Sequence, residues 1–521
     1  MKLIMGIYDA PEIQEQPLLE IDPLKANIAV FGSPMSGKTK FIETMLLRLT
    51  SNIGKGTKED VYIIDFGGNI GDYADLPVVC ACFDNSNEEN IKRVFKIIDD
   101  RLRENARQLG SKNYYMAASK PDTCPPHLTL IIENLNAFLA DERFATYQDQ
   151  LMKLCRDGLS KGLTVVFTAN DTSGISRYLA NFGHKIAFNM PATSYMDIFG
   201  SKSVSTMRTP GRGLVTVDSG VYEFQAFLPF KPKTEEDDLK ALIAQYQTYK
   251  NPNKLISLPD ILTMTNIREY SADKIQPSND NIYFGLDYYD HKPMIIDIDK
   301  TRSIGIYGKK GFGKTNLLKI LTAQIWMYHR DARFILFDDG RKQLETIRDT
   351  ILKNNKNTVY YDNATDLRVY LNENGYGATR KANEKVEVQD TPYTVFILQN
   401  RMLYHNSSGT DIRYLSVNLF PDMIVNAEKR KFLFIYSDFK IPETEFRDKL
   451  NNCLSAAFLL DNIGDFIAEK GAKTAFGEMD PKELKAQYAK CSLGDGYYYD
   501  IEGDDLHKVK LIKFEGGKKN G

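Results

Sequence analysis

The sequence predicts an α/β architecture built twice: two tandem modules, each a mostly parallel sheet flanked by helices and closed by a terminal hairpin. Three observations carry this. Short apolar strands alternate with helical patterns along both halves. Landmarks recur in one order, the first of them 276 residues apart. A glycine-rich loop of one form follows the same landmark strand each time.

The landmarks run in one order. QPLLEID at 16–22 matches KPMIIDI at 292–298, with Pro17 and Pro293 at the 276-residue spacing. The strand NIAVFG (27–32) matches SIGIYG (303–308) at the same spacing. A strand ending in an acid follows at 61–68 and at 333–340. An apolar strand ending in a polar pair follows at 128–134 and 393–400. A third lies at 163–171 and 432–438. The closing hairpin is at 210–230 in one half and 493–514 in the other. Small drifts in spacing are what loop insertions produce. The division is therefore a first module over 1–230, a linker over 231–280 and a second module over 281–521. The linker carries a charged helical stretch, EEDDLKALIAQYQTY, and enough apolar residues to pack against its neighbours.

Composition narrows the class. The chain has 521 residues, 42% hydrophobic and 26% charged, so each half can bury an ordinary core. Lys plus Arg is 67 against 69 for Asp plus Glu, a net charge of -2. That balance argues against a nucleic-acid coat, which carries a basic excess. The six cysteines make no CxxC pair; Cys80 and Cys82, in VVCACF, read as residues of a buried strand. No apolar run approaches the ~20 residues of a membrane span, and the N-terminal MKLIMGIYDAPE is too short an apolar stretch for a signal peptide.

The two loops both fit G-x-x-x-x-G-K-[ST]. The first is Gly32, Ser33, Pro34, Met35, Ser36, Gly37, Lys38, Thr39. The second is Gly308, Lys309, Lys310, Gly311, Phe312, Gly313, Lys314, Thr315. Glycines let backbone N–H groups turn inward around phosphate oxygens. The helix N-terminus behind each loop adds positive dipole. Lys38 and Lys314 reach the β- and γ-phosphates, and the hydroxyls of Thr39 and Thr315 hold Mg²⁺ through the nucleotide. An apolar strand precedes each loop. An amphipathic helix follows, with Phe41, Met45 and Leu49 on one face in the first and Leu317, Leu321 and Gln324 or Ile325 in the second. Both halves thus read as RecA-like P-loop NTPase modules that bind ATP. Lys309 and Lys310 read as solvated surface.

Hydrolysis needs more than a phosphate loop. A carboxylate at the end of a central strand orders Mg²⁺, and a neighbouring acid activates water. The strand that should supply them ends in Glu133-Asn134 in the first half and Gln399-Asn400 in the second. Glu133 keeps one charge; Asn134 is no base; the second pair has no carboxylate. The expectation is ATP binding with little turnover in the first half, and weak or no binding in the second. Asp65, Asp338 and Asp339 end other strands, where a capping or turn role outweighs a catalytic one. The third strand ends near Thr168 and Asn170, and near Ser437 and Asp438; Asn170 and Asp438 are candidate γ-phosphate sensors, weighed evenly against strand-end turns. Arg212 in the PGRGL turn reads as structural, with Asp495 in the corresponding place.

At this point the residues resemble the FtsK/SpoIIIE-type ATPases. The first half is similar to the penultimate ATPase module of the EssC/EccC proteins of type VII secretion. It shares QPLLEID, FGSPMSGKT, VYIIDFGG followed by LP, DDRLRENARQLGSKNYYM, LIIEN and PGRGL. The second half is similar to their terminal module, with LGDGY in place of PGRGL. The resemblance implies export of WXG-type proteins and effectors, with the later modules recognising substrate and regulating. It implies partners in an upstream ATPase module, a membrane portion and other secretion-machine subunits, and no nucleic acid. It also implies a hexameric ring in the assembled machine, a monomeric state remaining open for this segment. The segment would be the C-terminal cytosolic part of a membrane protein. Two other readings stand beside it. An FtsK-like DNA-translocating ATPase needs intact acids and a basic channel. A scaffold whose loops bind nothing leaves the complete Lys-Thr loop ends unexplained.

Overall fold

The computed structural model describes residues 2–55, 58–200, 209–218, 220–255, 257–270, 281–338, 342–374, 393–399, 431–439, 453–461 and 491–515. The chain divides into two units, Met1–Ser257 and Leu258–Gly521.

The first unit is one sheet of ten strands. They are β1 (Leu3–Tyr8), β2 (Leu18–Ile21), β3 (Ile28–Phe31), β4 (Glu59–Asp65), β5 (Val79–Asp84), β6 (His127–Glu133), β7 (Leu163–Ala169), β8 (His184–Phe188), β9 (Arg212–Val217) and β10 (Gly220–Ala226). Their order is β2-β1-β10-β9-β8-β3-β7-β6-β4-β5. From β8 to β5 every pairing is parallel; from β8 to β2 every pairing is antiparallel. β3, the strand before the first loop, lies between β7 and β8, and β7 separates it from β6. Strands β3, β4, β6 and β7 are buried along their whole length, as parallel strands covered on both faces must be.

Period-two alternation assigns the two faces. Ile28 and Val30 pack with Phe41, Met45 and Leu49 of the helix Lys38–Ser51. Ala29 and Phe31 face the other way, toward Ile91, Phe95 and Ile98 of the helix Glu88–Leu109. The result is a helix–sheet–helix sandwich.

The second unit is a sheet with the same strand order. Its strands are β11 (Asn281–Asp287), β12 (Pro293–Asp297), β13 (Ser303–Tyr307), β14 (Arg333–Phe337), β15 (Thr358–Tyr361), β16 (Thr394–Gln399), β17 (Phe432–Asp438), β18 (Ala456–Leu459), β19 (Asp495–Asp500) and β20 (Asp505–Leu511). Their order is β12-β11-β20-β19-β18-β13-β17-β16-β14-β15. Ile304 and Ile306 pack with Leu317, Leu321 and Ile325 of the helix Lys314–Tyr328. Tyr307, Phe396 and Phe434 line the opposite face. The antiparallel strands β1, β2, β11 and β12 extend each sheet beyond its parallel core.

Segment 231–280 is shared between the units. The helix Glu235–Gln245 buries Leu239 in the first. Asn253 and Arg101 donate to the buried Asp60 at 2.9 and 2.7 Å, and the Leu255 amide bonds Cys80 O at 2.6 Å. Leu262 and Ile267 join a small cluster with Tyr283, Leu286, Ile320 and Ile512 of the second. Residues 271–280 lie outside the described residues. Among the described residues no helix is long and apolar enough to cross a membrane, and the six cysteines are free thiols.

Candidate nucleotide site

The first loop runs from the end of β3 into the helix Lys38–Ser51. Gly32 N bonds Ala169 O of β7 at 3.1 Å, and Ser33 N bonds Asn189 O beyond β8 at 2.8 Å, so the two neighbouring strands fix its start. Gly37 sits at φ 113. A Cβ there would lie 2.9 Å from Gly211 N of the PGRGL turn, and that amide bonds Ser36 O at 2.9 Å. The closing hairpin is therefore a support of the loop, a role its sequence did not declare. Pro34 and Met35 form the tip, with Met35 95% exposed. Lys38 folds across the loop, donating to Gly32 O and to Ser33 O at 3.1 Å. Burial lowers its pKa, opposed by the charge of Glu133.

Thr39, Glu133 and Thr168 form one chain. Thr39 Oγ1 donates to Glu133 Oε1 at 3.2 Å, and Thr168 Oγ1 donates to Glu133 Oε2 at 2.6 Å. Glu133 is 3% exposed, and burial raises its carboxyl despite the two hydroxyls. A hydroxyl beside a buried carboxylate is a donor set that fits Mg²⁺. Asn134 is turned away: it adopts φ 64 and its side chain caps Ala137 N at 3.4 Å, while its amide donates to Thr168. Asp65 closes its own turn, accepting from Gly67, Gly68 and Ile70. Asn170 is exposed past the strand, its amide bound to Asn136. Arg212 pairs with Glu223 across the hairpin at 2.8 Å.

The second loop repeats the frame and changes the contents. Gly308 N bonds Asp438 O at 3.3 Å, and Gly311 and Gly313 take φ 94 and 104. Phe312 is partly buried against the apolar cluster, while Lys310 is exposed. Lys314 again reaches back, to Gly308 O and to Lys309 O at 2.9 Å. Register places Gln399 beside Ser437, as Glu133 is beside Thr168 on the neighbouring strand. The side chains differ. Gln399 Nε2 donates to Gln343 Oε1 at 2.7 Å, and Thr315 Oγ1 donates to the same oxygen at 3.3 Å. Among the described residues, Ser437 Oγ and Gln399 Oε1 are buried without a hydrogen-bond partner. Asn400 and Asp339 lie outside the described residues. Asp338 accepts Leu344 N at 2.8 Å, a turn role like that of Asp65.

The candidate sensors are not equivalent positions. Phe31 pairs with Ala169 and Tyr307 with Asp438, so Asp438 matches Ala169 and Phe439 matches Asn170. Asp438 accepts from Tyr436 OH and Phe439 N. The Phe439 ring lies 4.6 Å from Lys314 Nζ, a cation–π contact. Lys309 pairs with Asp461 at 3.4 Å. Gln343, Phe439 and Asp461 were not singled out from sequence. For Phe439 alone a signal existed, in aligning LTVVFTAN with FLFIYSDF so that Thr168 falls on Ser437.

No protein-family model matches the chain. The type VII secretion system protein EssC of Staphylococcus aureus (strain MRSA252) is 24% identical over 543 residues, which cover 98% of this chain. The solved structure of EssC ATPases 2 and 3 from Geobacillus thermodenitrificans superposes with a TM-score of 0.75 at 19% identity, covering 99% of this chain and 96% of that one. Over its whole length the chain is similar to EssC/EccC-type ATPases. It spans 34% of the length of the S. aureus EssC, so it corresponds to part of such a protein. A further EssC/EccC-type structure, Thermomonospora curvata EccC (ATPases 2 and 3) in complex with a signal sequence peptide, superposes with a TM-score of 0.62 at 17% identity. It covers 98% of this chain and 93% of that one.

Proposed function

We propose that this chain is the ATP-binding, substrate-recognising and regulatory part of a type VII secretion motor, with little hydrolysis of its own. The observation that carries the reading is the set Thr39–Glu133–Thr168 beside an Asn134 committed to a helix cap. The loop and Lys38 hold the phosphates; Thr39 and Glu133 hold Mg²⁺, which neutralises phosphate charge when bound. With Glu133 committed to Mg²⁺, no second carboxylate stands beside it to take a proton from water, because Asn134 is an amide whose side chain caps Ala137 N. ATP then acts as a ligand that stiffens the unit rather than as fuel. The second unit binds nucleotide more weakly, since Lys314 is engaged by Phe439 and no carboxylate stands at Gln399.

Cargo recognition rests on likeness: a relative with this fold was solved with a signal sequence peptide. We place WXG-type proteins and effectors as cargo, bound as a helix in an apolar groove. An upstream ATPase module, a membrane portion and the other secretion subunits are its working partners at the cytoplasmic face. The test is nucleotide binding and cargo pull-down with wild type, Lys38→Ala and Lys314→Ala. The reading expects nucleotide binding to fall chiefly in Lys38→Ala, and cargo binding to persist without nucleotide. Nucleotide binding indifferent to both substitutions contradicts it.

A further inference from the structure

The two sites differ in what faces the loop threonine. Thr39 meets the carboxylate of Glu133. Thr315 meets Gln343 Oε1, and that same oxygen receives the NH₂ group of Gln399. Gln343 begins the helix Gln343–Thr350 and is brought to the loop by the turn at Lys342, φ 59. Gln399 is 6% exposed, and among the described residues its Oε1 has no hydrogen-bond partner, so it offers one neutral carbonyl oxygen where the first unit offers a carboxylate. A hard divalent cation is held by anionic or carbonyl oxygens. Here a neutral amide oxygen is already shared between two donors, and an NH₂ group occupies the direction from which a carboxylate would act. The neighbouring carboxylates among the described residues are engaged in other bonds. Asp338 accepts Leu344 N, Asp438 accepts Tyr436 OH and Phe439 N, and Asp461 pairs with Lys309. Donors to an anion are present in the loop amides, Lys314 and the Gln399 amide.

We propose that the second unit takes its nucleotide polyphosphate without a divalent cation, whereas the first requires one. The proposal rests on the reading of both loops as nucleotide sites. In the second unit the Gln343–Gln399 pair takes the place of the metal-ordering acid, and the amide of Gln399 is the specificity determinant against Mg²⁺.

The test uses the full chain and a fluorescent, non-hydrolysable ATP analogue, titrated with Mg²⁺ and again with EDTA. Lys38→Ala reports the second site and Lys314→Ala the first, with thermal melts confirming that each variant folds. For Lys38→Ala the affinity changes by less than about twofold on removing Mg²⁺, and for Lys314→Ala it falls by about tenfold or more. Gln399→Glu on the Lys38→Ala background brings in a Mg²⁺ dependence of about fivefold or more. A Lys38→Ala protein that needs Mg²⁺ as much as Lys314→Ala overturns the proposal and leaves the nucleotide reading standing. So does a Lys38→Ala protein that binds nothing while Lys314→Ala binds. No binding by wild type overturns both.

Discussion

Thr39 and Glu133, 94 residues apart in sequence, meet at 3.2 Å between hydroxyl and carboxylate. The contact joins the phosphate-loop helix to the end of β6, and in the proposed reading it is where the first unit holds a divalent cation. Burial pushes Glu133 above its ordinary value of 4.5, partly offset by the Thr168 and Thr39 hydroxyls. A raised carboxyl opposes folding only once it must ionise, so its cost is absent below about 4.5 and grows as pH rises through the folded value. Glu133→Gln removes that term. The stability of the variant relative to wild type therefore improves as pH rises from about 4.5 to neutral. Urea melts across that range check it; a difference independent of pH contradicts it. The same variant loses the Mg²⁺ enhancement of nucleotide binding at the first unit.

Asp495 and Lys510 form a buried pair, 4% and 8% exposed, at 3.0 Å across the second hairpin. Lys510→Met leaves the carboxylate uncompensated and costs about 3 kcal/mol. Asp495→Asn together with Lys510→Met recovers most of it. The first hairpin holds Arg212 and Glu223 instead, each about a third exposed. Removing that pair costs under about 1 kcal/mol. Denaturant melts of the three variants decide this; equal costs in the two hairpins contradict it.

His507 Nδ1 lies 2.8 Å from Asp287 Oδ2, tying β20 to β11. The bond to Asp287 holds His507 above its ordinary 6.5. Burial pushes Asp287 upward, but His507 and the amides of Asp290 and Tyr289 outweigh it and hold it low. A raised histidine contributes stability that is complete below about 6.5 and lost as pH rises through its folded value. The second unit is therefore less stable at about pH 9 than at about pH 6, and His507→Gln flattens the slope. Calorimetry at both pH values measures it; an unchanged slope in the variant contradicts it.

Met35 and Gly311 occupy the same place in the two loops, at φ 62 and 94. A Cβ at Gly311 meets no atom within 4 Å, so Gly311→Ala carries backbone strain alone, about 1 kcal/mol. Met35→Gly relieves that strain in the first loop and does not lower its stability. A Gly311→Ala protein as stable as wild type contradicts the assignment.

Much of this was legible in the sequence. The loops, the buried strands and the helix faces of Phe41, Met45 and Leu49 follow from patterns whose period matches the element that forms. Asp65 and Asp338 were read as turn residues, and both cap turns. Other features were not legible. Gln343 reaches Thr315 only because Lys342 turns the chain, and a glutamine opening a helix carries no sign of its partner. Gly211 supports the first loop through one amide that no motif records. The boundary between units falls inside 231–280, because each end of that segment packs on the unit nearer to it. β1 reads as a short apolar N-terminal stretch until β10, over 200 residues away, supplies its partner.

The central claim is that the first loop binds ATP and barely turns it over. The direct measurement is ATP affinity and hydrolysis rate on one preparation, wild type beside Lys38→Ala. The account predicts saturable binding that Lys38→Ala weakens, with turnover below about 1 per second in both. Turnover of several per second in wild type, abolished by Lys38→Ala, would contradict it.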